Sequence, residues 1–411
     1  MNEHLSSTFL GRVRRSYKLA LSASTAGNSR IWGPIDERRS FVHAALMDDD
    51  DSALRNIFSD PVSSDLFLGA DYLCRSVLGQ LKNGSPDNLQ SLAVLAGEPV
   101  ERVDPDGIVD HFKKVTRRKL AALAKAARLN GTDQVEPTLR GVDKLLNQIV
   151  SFPNLSGEIG LDTSRGIATY RAVVSLYQAW LILNFLQRCS DKSVIEIGPG
   201  LGRTAYYAFR AGITDYSTVD LPMGIVAQAC FLGAALGPDK ICFYGEDDRA
   251  GCIRLYAAGN QPDRNYGLAF NSDSMTEMTM SAAMSYAQWI WRHCGAFFSI
   301  NHDLNLFTVR DISEKWFMLK ERAPYVMQGD YTEEYFVPKE SPSLTAWDKI
   351  ARHWMSIQTR RFFFRMARSK KKKHKANISA RPLVTAKCGV SPATTEVTPD
   401  RRRWYKIWRR V

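Results

Sequence analysis

Apolar residues follow two rhythms along this chain of 411 residues. Between Phe41 and Val150 they recur at three- and four-residue spacing. The stretches are Leu66–Leu81, Asn88–Leu95, Ile108–Leu129 and Leu139–Val150, and the spacing predicts helices with one buried face. Asp48–Asp51 suits a helix start and Asn130–Gly131 a helix stop. Residues 1–40 lack sustained periodicity and are expected to form a poorly ordered lead-in. Pro153–Asp162 reads as a loop and Gly166–Leu186 as a long apolar helix.

From Lys192 the rhythm alternates. Short β-rich runs at Ser193–Ile197, Tyr216–Asp220, Lys240–Tyr244, Tyr266–Phe270 and Ala296–Ile300 are predicted strands. Between them, Arg203–Ala211, Met223–Leu236, Asp248–Ala258 and Glu277–His293 are predicted helices. Alternation of this kind implies a parallel sheet with right-handed crossovers. Tyr325–Met327 and Tyr335–Val337, either side of Gly329–Asp330, suit a terminal antiparallel hairpin. The expected division is a lead-in (1–40), a helical region (41–190), an α/β domain (191–345) and a basic aromatic tail (346–411).

Charge sharpens that division. The net charge is +12, yet residues 359–411 hold 17 Lys and Arg against Glu396 and Asp400. The rest holds 38 bases and 41 acids, so the body is slightly acidic and is a poor match for a nucleic-acid footprint. In the tail, Trp404, Ile407, Trp408 and Val411 recur among Arg401–Arg403, Lys406, Arg409 and Arg410. Aromatic residues opposite cations suit an anionic membrane surface, and a solvated tail is the alternative. The seven cysteines include no CxxC pair, which favours reduced thiols in a cytoplasmic protein over a disulfide frame. Ala172–Leu186 is shorter than the ~20 residues that span a bilayer. The expected location is cytoplasmic, peripheral on the membrane face if the tail docks there.

The strongest local motif is Glu196-Ile197-Gly198-Pro199-Gly200-Leu201-Gly202, between a predicted strand and a predicted helix. Glycines let the backbone approach a ligand, and the helix start offers unpaired N–H groups. The spacing differs from the dinucleotide fingerprint G-x-G-x-x-G. Asp220 ends the second strand, 22 residues after Gly198, where a carboxylate can accept ribose hydroxyls. Glu246-Asp247-Asp248 follows the third strand. Asp220 could instead cap the turn before Pro222, and the acidic trio could cap the next helix.

These residues carry a resemblance. VIEIGPGLGRTA (194–205), YSTVDLP (216–222), AQACFLGAALG (227–237), LAFNSDSMTEM (268–278) and FFSINHD (297–303) resemble the class I S-adenosylmethionine-dependent methyltransferases. Within them, the match is to a sugar O-methyltransferase family of bacterial polysaccharide loci. The resemblance covers roughly residues 170–340. It implies a Rossmann-like, seven-stranded α/β sheet with helices on both faces. It also implies S-adenosyl-L-methionine contacts at Glu196, Gly198, Gly200, Gly202, Asp220, Leu221 and Asn271, with Glu246 and Asp247 near the adenine. Asp303 stands where many members carry Glu.

Methyl transfer to a sugar hydroxyl needs a positioned base or a metal. His302 is the first candidate base, because imidazole titrates near neutral pH. Asp273 or Glu277 could serve instead, or could bind a divalent cation with Asp303, although their spacing is not diagnostic and no metal is expected. Tyr170, Arg171, Tyr177 and Gln178 could meet a sugar, but such a stripe more often packs a core. Asn271-Ser272-Asp273-Ser274 departs from the N-P-P-Y of amino-directed nucleic-acid enzymes. The expected substrate is a sugar or glycan, with a second copy of the chain as a further candidate partner. An RNA methyltransferase and a non-catalytic membrane scaffold are the alternatives.

Overall fold

The computed structural model describes residues 3–23, 32–62, 64–67, 135–153, 155, 161–302, 305–325, 327 and 331–339. Expected elements at Asn88–Leu95 and Ile108–Leu129, most of Leu66–Leu81, Asp303 and the basic tail lie outside these residues.

The described helices are α1 (Ser7–Ala23), α2 (Trp32–Arg38), α3 (Ser40–Met47), α4 (Asp51–Ser59), α5 (Val135–Leu146), α6 (Tyr170–Leu186), α7 (Arg203–Arg210), α8 (Pro222–Leu236), α9 (Met280–His293) and α10 (Val309–Ser313). A short hairpin pairs β1 (Leu161–Thr163) with β2 (Gly166–Ala168). The remaining strands are β3 (Val194–Ile197), β4 (Tyr216–Asp220), β5 (Ile241–Cys242), β6 (Ile253–Ala257), β7 (Tyr266–Ser272), β8 (Cys294–His302), β9 (Phe317–Pro324) and β10 (Tyr331–Pro338).

These eight strands form one sheet in the order β5-β6-β4-β3-β7-β8-β10-β9. The first six are parallel neighbours, and β10 and β9 add an antiparallel hairpin at the β8 edge. The chain leaves β3 first toward β4 and later returns on its other side as β7. A ligand crevice opens at such a switch point, outside the carboxyl ends of the strands. The resemblance implies seven strands; the eighth is the two-residue edge strand β5.

Each face of the sheet is covered. One carries Val194, Tyr216, Leu268, Phe298 and Ile300 under α6, α7 and α8. The other carries Ile195, Ile197, Val219, Ala269 and Phe297 under α9 and α10. Helix α6 is buried almost throughout, which explains its unbroken apolar run. Its start is Tyr170 and not Gly166, because Gly166–Ala168 pairs as β2 and Thr169 caps the helix by accepting from Ala172 N at 3.0 Å. The acidic run acts as expected at α4, where Asp50 accepts from Ala53 N.

Helix α9 begins at Met280, three residues after the predicted Glu277, and two segments change type. The expected lead-in contains α1, whose Phe9, Leu10, Val13, Tyr17 and Ala20 are buried. Their helical spacing is interrupted in sequence by bases that the fold pairs elsewhere: Arg14 with Asp51, and Lys18 with Asp49 at 2.8 Å. The predicted helix Asp248–Ala258 is instead a loop and the strand β6. Ile253, Leu255 and Ala257 alternate with Arg254 and Tyr256, and the strand is enclosed on both faces. The terminal hairpin is present with longer strands, Phe317–Pro324 and Tyr331–Pro338. Among the described residues no helix is long and apolar enough to cross a membrane, and five cysteines are free thiols.

Candidate functional site

The glycine loop runs from the end of β3 into α7. Gly198, Gly200 and Gly202 have φ of +69°, +61° and +77°, the left-handed region open to glycine. Gly198 N donates to Val219 O at 2.9 Å, which ties the loop to β4. Gly202 caps α7 with no side-chain acceptor, so the first N–H groups of the helix receive no cap from it. At Gly198 the missing side chain makes room for Ser274, whose Oγ donates to Ile197 O at 2.8 Å.

Asp220 ends β4 beside this loop. Its Oδ1 accepts from Leu221 N at 2.7 Å and its Oδ2 from Gln228 Nε2 at 3.0 Å. A carboxylate offers about four acceptor sites, so capacity remains for two ribose hydroxyls. The Leu221 contact also braces the start of α8. Gly224 explains itself here: a Cβ would stand 2.5 Å from Asp220 Cγ. Burial pushes the Asp220 carboxyl up to about 7, against the pull of Leu221 N–H, Arg39 and Gln228.

Glu196 and Glu246 have other partners. Glu196 is 2% exposed and accepts from Tyr216 Oη at 2.9 Å, beneath the loop and not on its surface. Burial pushes its carboxyl up to about 8. Glu246 is gripped by Arg12 of α1, which donates through Nε at 2.6 Å and Nη2 at 2.8 Å. Arg12 also donates to Pro238 O and Ile241 O and lies over the Phe243 ring, so α1 is fastened across this corner. Asp247 is exposed, and no helix follows for the trio to cap.

The strand ends on the other side of the switch point carry a polar network. Asn271 is fully buried; its amide donates to Ile197 O at 2.8 Å and to Ser274 Oγ. Its Oδ1 accepts from Asn301 Nδ2 at 2.7 Å, and Asn301 Oδ1 accepts from Thr276 at 3.1 Å. Asn271 therefore shapes the crevice wall. Gln178 joins α6 to this wall, donating to Ser272 Oγ at 3.0 Å and accepting from Thr204 at 2.7 Å.

Asp273 follows in a left-handed conformation, φ +65°, with its N–H on Ile300 O at 3.0 Å. Its Oδ2 is 4.0 Å from Arg171 Nη1 of α6. Burial and the nearby Asp273 carboxylate push the Glu277 carboxyl well above the ordinary range, opposed by Arg171. The structure thus brings Asp273, Glu277 and Arg171 together. His302 ends β8, on the strand face opposite Asn301. It sits edge-on to Tyr331, with ring centroids 5.0 Å apart at 87°. Tyr177 belongs to the core, its ring tilted against those of Trp180 and Tyr325. Among the described residues no group of three His, Cys, Asp or Glu is placed to hold a metal ion.

Arg12 and Arg39 had no sequence signal, and Gln228 and Ser274 lay inside the quoted runs without a role of their own. Each acts on a partner distant in sequence or buried by the fold.

No family model and no curated protein matches the chain. Among solved structures it is similar to a Pyrococcus horikoshii protein described as an RNA methyltransferase. The identity is 16% over 48% of this chain and 94% of that one, with a TM-score of 0.31. It is similar to the CcbJ methyltransferase of Streptomyces caelestis at 10% identity over 40% of this chain and 88% of that one, TM-score 0.31. It is also similar to the Pyrococcus abyssi tRNA (uracil-54, C5)-methyltransferase in complex with S-adenosyl-L-homocysteine. That match has 11% identity over 39% of this chain and 38% of that one, TM-score 0.27.

Proposed function

We propose that the chain is an S-adenosyl-L-methionine-dependent O-methyltransferase acting on a sugar hydroxyl of a glycan or nucleotide-sugar precursor. The observation that supports the cofactor part of this is the left-handed glycine loop at the switch point, with uncapped α7 on one side and the part-occupied Asp220 carboxylate on the other; the sugar acceptor rests on the resemblance of residues 268–278 and 297–303. When bound, the cofactor supplies a methyl group activated on a sulfonium. Backbone N–H groups of the loop and of α7 meet its polar atoms, Asp220 accepts its ribose hydroxyls, and Leu221 holds Asp220 in place. The exposed Asp247 takes the adenine side in place of Glu246.

The acceptor enters at the ends of β7 and β8. His302, Asp273 and Glu277 are the candidate bases there; burial and Asp273 push the Glu277 carboxyl up, so it takes the part only after giving up its proton. Arg171 and Asp273 orient the acceptor hydroxyl, and His302, edge-on to Tyr331, lines the opening. Calorimetric titration with S-adenosylhomocysteine tests the cofactor. The wild-type chain is expected to bind, and Asp220→Ala to bind at least about tenfold more weakly, a loss of ~1.4 kcal/mol. Absence of wild-type binding, or equal binding by Asp220→Ala, refutes the assignment.

The tail supplies a second contact by its composition: a polybasic, aromatic segment suits an anionic membrane, at about 1 kcal/mol per charge near the surface. Co-sedimentation with anionic liposomes is expected to be lost in a chain ending at Gln358. Unchanged sedimentation after that truncation counts against a membrane role, and salt-sensitive binding to RNA through the same segment would favour an RNA acceptor.

A further inference from the structure

Helix α6 packs against both α7 and β7 and is apolar for most of its length. Two of its polar side chains turn toward the site: Arg171 and, two helical turns on, Gln178 on the same face. They meet consecutive residues at the end of β7. Arg171 Nη1 stands 4.0 Å from Asp273 Oδ2, and Gln178 Nε2 donates to Ser272 Oγ at 3.0 Å. The other end of the Gln178 amide faces the glycine loop. Its Oε1 accepts from Thr204 Oγ1 at 2.7 Å, and Thr204 is the second residue of α7, directly after that loop.

Gln178 is 6% exposed and Thr204 3%. A buried amide costs stability unless its polar atoms are paired. Volume alone does not call for one here, since Val174, Leu181 and Ile182, each one turn away, are buried apolar side chains. Both ends of this amide are paired, and to opposite sides of the switch point. Thr204 belongs to the helix whose uncapped start is proposed to meet the cofactor. Ser272 belongs to the strand end where the acceptor is proposed to enter, next to Asp273. One side chain thus spans the two halves of the crevice.

We propose that Gln178 is a positioning residue for methyl transfer: by bonding Thr204 and Ser272 through one amide, it sets the cofactor loop against the acceptor strand. An in-line displacement depends on that alignment, and small misplacements of the reacting groups are costly. This role rests on the cofactor site proposed above. It adds that a change on the acceptor side is felt at the cofactor, with Gln178 as the link.

Calorimetric titration of the full chain with S-adenosylhomocysteine tests the link. Gln178→Met keeps the volume and removes both hydrogen bonds, and is expected to weaken binding by about fivefold, the worth of one net hydrogen bond. Ser272→Ala cuts the bridge on the acceptor side and should weaken binding by a similar factor, but cause no further loss in the Gln178→Met background. Thr204→Val cuts it on the loop side, and these two variants carry the test if Gln178→Met does not fold. Gln178→Glu should bind within about twofold of wild type, because a carboxyl group can also bond both hydroxyls. Tyr266→Phe is the structural control. It removes a buried hydrogen bond to Ser217 at the far end of β7 and should lower stability while leaving the affinity unchanged. Equal binding by wild type, Gln178→Met and Ser272→Ala overturns the proposal. So do additive losses for Gln178→Met and Ser272→Ala, or an equal loss in Tyr266→Phe, which would mark a general effect of lower stability. A wild-type chain that does not bind removes the cofactor site itself and this role with it, an outcome distinct from wild-type binding that Gln178 does not affect.

Discussion

Gly198→Ala is expected to destabilise the protein far more than Gly251→Ala, although both glycines have φ of +69°. The shared backbone conformation costs an alanine about 1–2 kcal/mol at either position. At Gly251 nothing stands within 4 Å of the new methyl group, so the loss should stop there. At Gly198 the methyl would fall on Cβ and Oγ of Ser274, closer than real Cβ atoms approach. Ser274 cannot easily withdraw, because its Oγ donates to Ile197 O and accepts from Asn271, which is itself locked to Asn301. Overpacking of that kind adds roughly 1–3 kcal/mol. Urea unfolding of the two variants measures the difference, and Gly198→Ala/Ser274→Gly should recover most of it. Equal losses at the two positions would show that the contact with Ser274 does not matter.

The Ser274 contact also shows which features the sequence reveals and which it hides. The alternation from Ser193 to Ile300 is legible because each parallel strand is short, apolar and closed by glycine, proline or acid. The loop and Asp220 are legible because their chemistry is local. Strand β6 is not: Ile253–Ala257 carries arginine and tyrosine between its apolar residues, and only the enclosing elements decide against a helix. Helix α1 is hidden for a related reason. Arg12 looks like a solvent-facing base until the fold brings Glu246, 234 residues away, against it. The acidic trio falls near the adenine by position alone, and that same ion pair gives its first member a partner that the sequence does not reveal. Gln228 is missed for a related cause, since it reaches Asp220 only once α8 packs beside β4.

Glu196→Gln is expected to flatten the pH dependence of stability. In the folded chain burial pushes the Glu196 carboxyl up to about 8, with the Asp220 charge adding and the Tyr216 hydroxyl opposing. Unfolded, the group titrates near 4.5. A carboxyl raised on folding favours the native state fully below its unfolded pKa and loses that advantage as pH rises to the folded value. The wild type should therefore shed stability between about pH 4.5 and 8, by an amount on the order of 4–5 kcal/mol at ~1.4 kcal/mol per unit. Glutamine can still accept from Tyr216 but brings a second buried N–H, which costs about 1–3 kcal/mol if unmet. The variant should then be the weaker protein near pH 5 and the stronger one near pH 9, and the crossing is the diagnostic. A shallower decline should remain in the variant, because Asp220 is also raised on folding, to about 7. Denaturant titrations at pH 5, 7 and 9 decide it: parallel curves would mean that Glu196 is charged in the fold. A neutral Glu196 at pH 7 would be a prop beneath the glycine loop and not a counter-charge, leaving Asp220 as the carboxyl group beside the loop in the proposed site.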